Sequence, residues 1–199
     1  MGGYGVGFLT FTMILACVLI AIYSQVGNPE WLGKLFISES LGQRNLPEVL
    51  HGQIWRLITP IFVHARLTRD PLHLIFNMMW LYQLGSMIEA RRGSLFLFIF
   101  VVVSAALSNL GQYFQHGPAF YGMSGVMYAL AGYIWMCGKY NPASGLHIDR
   151  QNVVMLLIWL VVCYTGMVGP VANTCHVVGL LVGMAWGGAA AILATRHHE

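Results

Sequence analysis

Charge is what this sequence is short of. Ten Lys and Arg and seven Asp and Glu make up 9% of the 199 residues, while 57% are apolar. Soluble domains carry about a quarter charged residues. A water-soluble fold of this size would lack the polar residues to cover its surface, so a bilayer has to cover it. The net charge of +3 is too small to point to nucleic acid, and Lys and Arg never form a block. The four cysteines, Cys17, Cys137, Cys163 and Cys175, show no CxxC spacing. That disfavours both a zinc site and a disulfide framework and leaves buried free thiols as the reading. HExxH is absent too, and His73, Asn77 and His176 would make a poor zinc set. Neither metal nor cofactor is expected.

Processing signals are missing as well. The first apolar stretch, Gly7 to Tyr23, has no basic residue before it and no A-x-A-like site after it. It reads as a retained span rather than a signal peptide. Met1-Gly2 is followed by Val6 instead of the Ser or Thr that myristoylation requires.

What is present is apolar length. Six segments run approximately over 6–25, 72–89, 95–115, 122–137, 152–168 and 173–194, most approaching the ~20 residues that a spanning helix needs. The expectation is an all-α membrane protein, one domain over 1–199, built as a six-transmembrane-helix bundle. Charges mark the gaps, as at Glu89-Ala90-Arg91-Arg92 and from Lys139 to Arg150. An even number of spans puts both termini on one side. That side has Arg91, Arg92, Lys139, Arg150 and Arg196 in short connections. The opposite side has Lys34, Arg44, Arg56, Arg66 and Arg69 in one long first loop. Short loops carry more weight, which makes the termini cytoplasmic.

The first loop, about 26 to 71, is too long for a simple turn. Trp31, Leu32, Leu35, Phe36 and Ile37, then Trp55-Arg56-Leu57-Ile58, suggest short amphipathic pieces in the interface, with Trp and Arg at headgroup level. The fourth segment is short. Gly122 to Cys137 is sixteen residues, roughly 24 Å of helix against a hydrocarbon core of about 30 Å. With Lys139 anchoring its cytoplasmic end, its start lies below the outer surface, where backbone must be buried in protein or line a wet cavity.

Ser124 sits at that start. His73 and Asn77 open the second segment and His176 opens the sixth. Polar residues inside spans are expensive and point to function. With alternating topology the second, fourth and sixth helices run in one direction, so all four residues lie at similar depth. In Gly122-Met123-Ser124-Gly125 the flanking glycines allow a sharp turn that exposes Oγ and leaves the Ser124 N–H free at a helix start. That N–H can bind a developing oxyanion; the plainer reading is an N-capping serine. Gly179, Gly183 and Gly187 recur every four residues after His176, and Gly125, Ala129 and Gly132 do much the same on the fourth segment. Small faces let membrane helices approach closely, which would bring His176 to Ser124. A lone histidine is more often bonded to a backbone carbonyl; beside a GxSG serine at equal depth that reading recedes. Tyr128 is one turn along the Ser124 face and is placed to orient the imidazole, or simply to pack. His73 and Asn77, at i and i+4, share a face. They serve as oxyanion donors or as interhelical glue. The seven carboxylates, Glu30, Glu39, Glu48, Asp70, Glu89, Asp149 and Glu199, fall in loops or at the cytoplasmic end, so a Ser–His dyad without an acid is expected.

Taken together, Trp55-Arg56 in a long first loop, His73-x-x-x-Asn77, Glu89-x-x-x-Gly93, Gly122-Met-Ser124-Gly125 and His176-x-x-Gly179-x-x-x-Gly183 resemble the rhomboid intramembrane serine proteases. The chain is most similar to their six-span bacterial GlpG-like members, without the cytosolic N-terminal domain. The resemblance covers nearly everything from Trp55 onward. It implies Ser124 as nucleophile and His176 as general base. His73, Asn77 and the Ser124 N–H are implied as the oxyanion hole, and the fifth helix as a mobile lateral gate. It also implies transmembrane protein substrates and a location in the bacterial inner membrane. Two departures stand out: the stretch from Val63 to Pro71 is longer than usual, and Tyr121 stands where some bacterial members have Gly.

Two other readings compete. A catalytically inactive rhomboid-like scaffold would not need intact Ser124 and His176. A transporter would need a polar path, yet the inner halves of the fourth and sixth segments carry no charge. Under the protease reading the substrate helix must unwind locally, which favours weak helix formers near the cut. Trp159 and Tyr164 are candidate gating bulk, and Phe120 and Tyr121 are expected to crowd the side-chain cavity before the scissile bond. The resemblance implies a small residue, such as Ala, at that substrate position; with this crowding, cleavage is expected to prefer Ala, Ser, Gly or Cys there, and Tyr121→Gly should relax the preference. A single transmembrane substrate varied only there, assayed against both enzymes, tests this. Equal cleavage of the Ala and Phe variants by the unmodified enzyme would overturn it.

Overall fold

A computed structural model of the chain describes residues 5–25, 30–40, 45–64 and 71–196, with side chains to residue 194. Arg44, Arg66, Arg69, Asp70 and Glu199 lie outside the described residues, as does most of the long stretch after Val63. Every regular element among the described residues is helical. Helix α1 is Phe8–Tyr23. The first loop folds into two single-turn helices, α2 (Glu30–Gly33) and α3 (Pro47–Leu50), and two 3-10 turns, Ile54–Leu57 and Thr59–Phe62. A long rod follows: α4 (Pro71–Trp80), a π-helical turn (Leu81–Gly85) and α5 (Ser86–Arg92). Then come α6 (Ser94–His116), α7 (Ser124–Tyr140), α8 (Arg150–Tyr164) and α9 (Asn173–Arg196).

Helices thus occupy all six apolar segments, with shifted ends. The fourth starts at Ser124 and reaches Tyr140, and the fifth stops at Tyr164. Among the described residues, two helical stretches, Ser94–His116 and Asn173–Ala194, are long and apolar enough to cross a membrane. Phe8–Tyr23 and Arg150–Tyr164 are shorter apolar helices.

Helix α7 forms the centre, burying twelve of its 17 residues, and its pairing with α9 is the most extensive in the fold. Glycine makes the approach possible. A Cβ at Gly179 would overlap the Gly125 carbonyl, and one at Gly183 the Ala129 carbonyl. Bare backbone faces bare backbone, as in closely packed membrane helices. Helix α6 completes the trio with a buried polar stripe, Ser104, Ser108, Asn109 and Gln112. The two serines donate to carbonyls one turn back at 2.7 Å. Gln112 Oε1 accepts from the Cys175 N–H at 3.2 Å, and Asn109 Nδ2 donates to the Leu57 carbonyl at 2.9 Å.

Two buried charged residues hold the periphery. Helix α1 starts after Gly7, which has no side chain to cap it; Glu89 supplies the cap from across the bundle. Its carboxylate accepts from the Leu9 and Thr10 N–H groups at 2.8 Å each, from Thr10 Oγ1 at 2.6 Å and from Ser94 Oγ at 2.7 Å. A carboxylate at a helix N-terminus is stabilised by the free N–H groups and the dipole. Arg56 departs from the expectation of a headgroup-facing arginine. It is 1% exposed and donates to the Gly33 and Phe36 carbonyls at 2.9 Å, to Gln53 Oε1 at 2.7 Å and to Glu39 Oε1 at 2.5 Å. Its five donors and planar fork suit several acceptors at once, so the guanidinium serves as the loop's internal frame. Trp55 beside it stays half exposed.

The glycine contact separates packing from propensity. Gly179→Ala is expected to destabilise the fold by at least about 2 kcal/mol through overpacking. Gly188→Ala, where nothing lies within 4 Å of the added methyl, should stay within about 0.5 kcal/mol or gain slightly from helix propensity. Unfolding both variants in detergent tests the contrast; equal stability would mean that the backbone contact does not hold α7 to α9.

Candidate active site

The turn into α7 builds one half of the site. Gly122 has φ +110°, a conformation in which a Cβ is strained, and the His73 ring lies against the space a Cβ would fill, with Cε1 at 2.9 Å and Nε2 at 3.0 Å from it. The Gly122 N–H donates to the Pro60 carbonyl at 3.0 Å, which pins the turn to the first loop. Ser124 is then the first residue of α7, and its N–H is one of the four that a helix leaves without an intrahelical acceptor.

The tight α7–α9 pairing brings the other half. His176 lies in the first turn of α9, is 3% exposed, and its Nε2 is 2.7 Å from Ser124 Oγ. The Tyr128 ring lies over the imidazole, with centroids 4.8 Å apart and planes tilted 32°. Tyr128 Oη donates to the Leu156 carbonyl on α8 at 3.0 Å. His176 Nδ1 is buried without a hydrogen-bond partner among the described residues, so no acid stands behind the histidine there. Asn77, 6% exposed, donates through Nδ2 to the His73 carbonyl at 2.7 Å and leaves Oδ1 buried without a partner among the described residues.

The predicted residues are not all gathered at one point. Ser124 and Tyr128 both meet His176. His73 abuts the Gly122 turn, and Tyr121 packs against both His73 (6.3 Å between centroids) and Phe36 (6.0 Å). Phe120 goes into a different cluster, with Ile37, Tyr113 and Cys175. Trp159 is 49% exposed on α8.

His64 was not anticipated. It is 2% exposed and its ring centroid is 5.3 Å from that of His73. Its Nδ1 lies 3.3 Å from the Phe62 carbonyl, and Nε2 is buried without a partner among the described residues. Burial first, and His73 second, push its pKa down to about 4. Nothing in its local pattern sets it apart from a loop histidine. Gln112 was missed too, though a signal for it exists: Ser104, Ser108 and Gln112 recur at i, i+4 and i+8 inside an apolar run, a signature of an interior-facing polar stripe.

No group of three or more His, Cys, Asp or Glu among the described residues is placed to hold a metal ion. The arrangement has the parts for acyl transfer: a hydroxyl nucleophile, an adjacent imidazole base, and free N–H donors beside the nucleophile.

A family model described as Rhomboid domain matches residues 51–192. Curated relatives include proteins named Rhomboid protease GlpG from Salmonella newport (strain SL254), Salmonella enteritidis PT4 (strain P125109) and Salmonella choleraesuis (strain SC-B67). Each is 38% identical over 184 residues, which cover 90% of this chain and 62% of the relative. The chain therefore spans about three-fifths of the length of the curated relatives it matches.

A serine-directed fluorophosphonate should label Ser124, and His176→Ala should slow labelling by at least about 100-fold, the scale of losing a general base. Mass spectrometry of the labelled peptide checks both. Labelling at unchanged rate in His176→Ala would show that the 2.7 Å contact does not activate the serine.

Proposed function

The chain belongs to the rhomboid family, and from that membership and the contact between Ser124 Oγ and His176 Nε2 we propose that it is an intramembrane serine endopeptidase. Its substrates are membrane proteins, cut in or near their transmembrane segments. The single observation that carries the reading is the 2.7 Å approach of nucleophile to base.

In this reading Ser124 Oγ attacks the scissile carbonyl carbon while His176 Nε2 takes its proton. The tetrahedral oxyanion is held by the Ser124 N–H, His73 and Asn77. His176 then gives the proton to the leaving amine as the C–N bond breaks. A water, deprotonated by the same nitrogen, hydrolyses the acyl-enzyme and restores Ser124. Tyr128 supports the imidazole from below, and Tyr121, between Phe36 and His73, restricts the substrate side chain beside the turn.

The membrane arrangement belongs to the same proposal. α1, the α4–α5 rod, α6, α7, α8 and α9 are the six spans, the first loop lies at the outer interface, and the termini are cytoplasmic in a bacterial inner membrane. Large apolar side chains left exposed along α1, such as Phe8, Phe11, Leu15, Leu19 and Ile22, support a lipid-facing stripe at helical spacing. A catalytically inactive scaffold of the same fold would bind membrane segments without cutting them. It gains nothing from a hydroxyl aimed at a buried imidazole.

Incubating the purified protein with a transmembrane substrate in liposomes separates these readings. Wild type should cleave and Ser124→Ala should not. Asn77→Ala should lower kcat with KM little changed, by less than the ~10²–10³ that one essential oxyanion donor commands, since two donors remain. Full-rate cleavage by Ser124→Ala would end the dyad mechanism. A change confined to KM would make Asn77 a substrate-positioning residue.

A further inference from the structure

The two 3-10 turns of the first loop, Ile54–Leu57 and Thr59–Phe62, meet at Ile58, which closes one and opens the next. In such a turn each carbonyl accepts from the N–H three residues on. The Trp55 carbonyl accepts from Ile58 at 2.9 Å, and the Ile58 carbonyl from Ile61 at 3.1 Å. The Leu57 carbonyl would take the N–H of residue 60, but residue 60 is proline and has none. Asn109 fills that gap. It lies on α6, is 2% exposed, and donates through Nδ2 to the Leu57 carbonyl at 2.9 Å.

The gap sits next to the support of the site. The Pro60 carbonyl accepts from the Gly122 N–H at 3.0 Å, in the turn that leads into Ser124. A shift of Leu57 passes along the tight turn to Pro60 and so to Gly122, against which the His73 ring rests. That turn lies outside the α7–α9 joint, whose glycine contacts begin at Gly125 and hold the helix rather than the residues before it. On its other side Asn109 faces the turn that carries the histidine. Its Oδ1 is 3.8 Å from Cys175 Sγ, and the one thiol proton is shared with the Ser108 carbonyl at 3.3 Å. Cys175 directly precedes His176. A thiol is a weak donor, so this is the lighter of the two ties.

A buried asparagine is often no more than glue between segments. Here its N–H group meets the one carbonyl that the proline leaves without a backbone donor, beside the bond that sets the Ser124 turn. We propose that Asn109 is a positioning residue: it replaces the N–H that Pro60 lacks, and so holds the loop that supports the Ser124 turn in register with the helix turn carrying His176, a role that rests on the proteolytic reading above. Without it the Leu57 carbonyl turns toward another donor, Pro60 shifts and the Gly122 bond loosens. The Ser124 N–H and His73 then leave the place where the oxyanion forms. The contact between Ser124 Oγ and His176 Nε2, mounted on the α7–α9 joint, survives.

Asn109→Leu removes the donor at nearly constant size, and Asn109→Ala repeats the loss should the leucine variant not fold. Either should lower kcat on a transmembrane substrate and slow fluorophosphonate labelling of Ser124 about 5- to 20-fold, with KM within about 2-fold, because a small misplacement of reacting groups is costly. Hydrogen exchange at the Gly122 N–H should quicken. Leu97→Ala opens a buried cavity near the start of the same helix; it controls for loss of stability alone and should change kcat by less than about 1.5-fold. Pro60→Ala supplies the missing backbone N–H, so adding it to Asn109→Leu should bring kcat to within about 2-fold of Pro60→Ala alone. Unchanged kcat in both Asn109 variants, an equal fall in Leu97→Ala, or no rescue by Pro60→Ala would overturn the positioning role. If labelling and Gly122 exchange respond to Asn109, and Pro60→Ala restores them, in a protein that cleaves no membrane substrate, the positioning role stands and the proteolytic reading falls. If the wild type cleaves and the Asn109 variants cleave as fast, the positioning role alone falls.

Discussion

Everything at the candidate site depends on how closely α7 and α9 approach. Ser124 and His176 are 52 residues apart and lie on different helices. Their 2.7 Å contact exists because Gly179 and Gly183 present no side chain toward the Gly125 and Ala129 carbonyls. In lipid, no hydrophobic force pushes two apolar helices together, so shape and backbone proximity must do it. The site is therefore mounted on the tightest joint in the molecule rather than on loops. A hydrogen bond is lost over a few tenths of an ångström beyond its range, so a rigid joint is what such a dyad requires.

The remaining polar residues answer to the same constraint. A polar group inside a low-dielectric bundle must find a partner or cost free energy, and most of those buried here do find one. Ser104 and Ser108 turn back onto their own helix, Gln112 reaches the backbone of Cys175 beside the histidine, and Asn109 reaches the first loop. Arg56 gathers four acceptors and Glu89 four donors. These networks also brace the site. The Leu57 carbonyl held by Asn109 lies three residues before Pro60, whose carbonyl accepts from Gly122 and so sets the turn into α7.

Much of this was legible in the sequence, for a physical reason. Apolar runs interrupted by charge mark helices in a bilayer, and polar residues at the starts of alternate helices must share a depth. That placed Ser124, His176, His73 and Asn77 at one end of the bundle, and the small-residue spacing of four foretold which helices touch. What escaped depends on partners distant in sequence. Glu89 reads as a charge closing a segment; its role as the cap of α1 needs residues 79 and 80 positions away. Arg56 next to Trp55 reads as an interfacial pair, because nothing local says that Gly33, Phe36 and Glu39 will enclose the guanidinium. The π turn at Leu81–Gly85 shifts the helical phase between Asn77 and Glu89 without a proline to announce it.

In the proposed mechanism no acid stands behind the imidazole among the described residues. Nε2 must be unprotonated to accept the Ser124 hydroxyl, which places the proton of the neutral ring on Nδ1. That N–H is buried and has no acceptor among the described residues. Leaving a buried donor unmade costs about 1–3 kcal/mol, and in a Ser-His-Asp triad the carboxylate removes that cost and stabilises the imidazolium. Here a carboxylate would itself have to be desolvated in the bundle, at several kcal/mol, for a reaction that needs the imidazolium only in passing. In the proposed mechanism the ring face of Tyr128 would offer a cheaper substitute: its negative quadrupole favours a cation lying over it, so its stabilisation of His176 would grow as the proton arrives from Ser124 and fade when the proton leaves. A support that strengthens with the developing charge favours the transition state over the ground state, which is the property a dyad without an acid most needs.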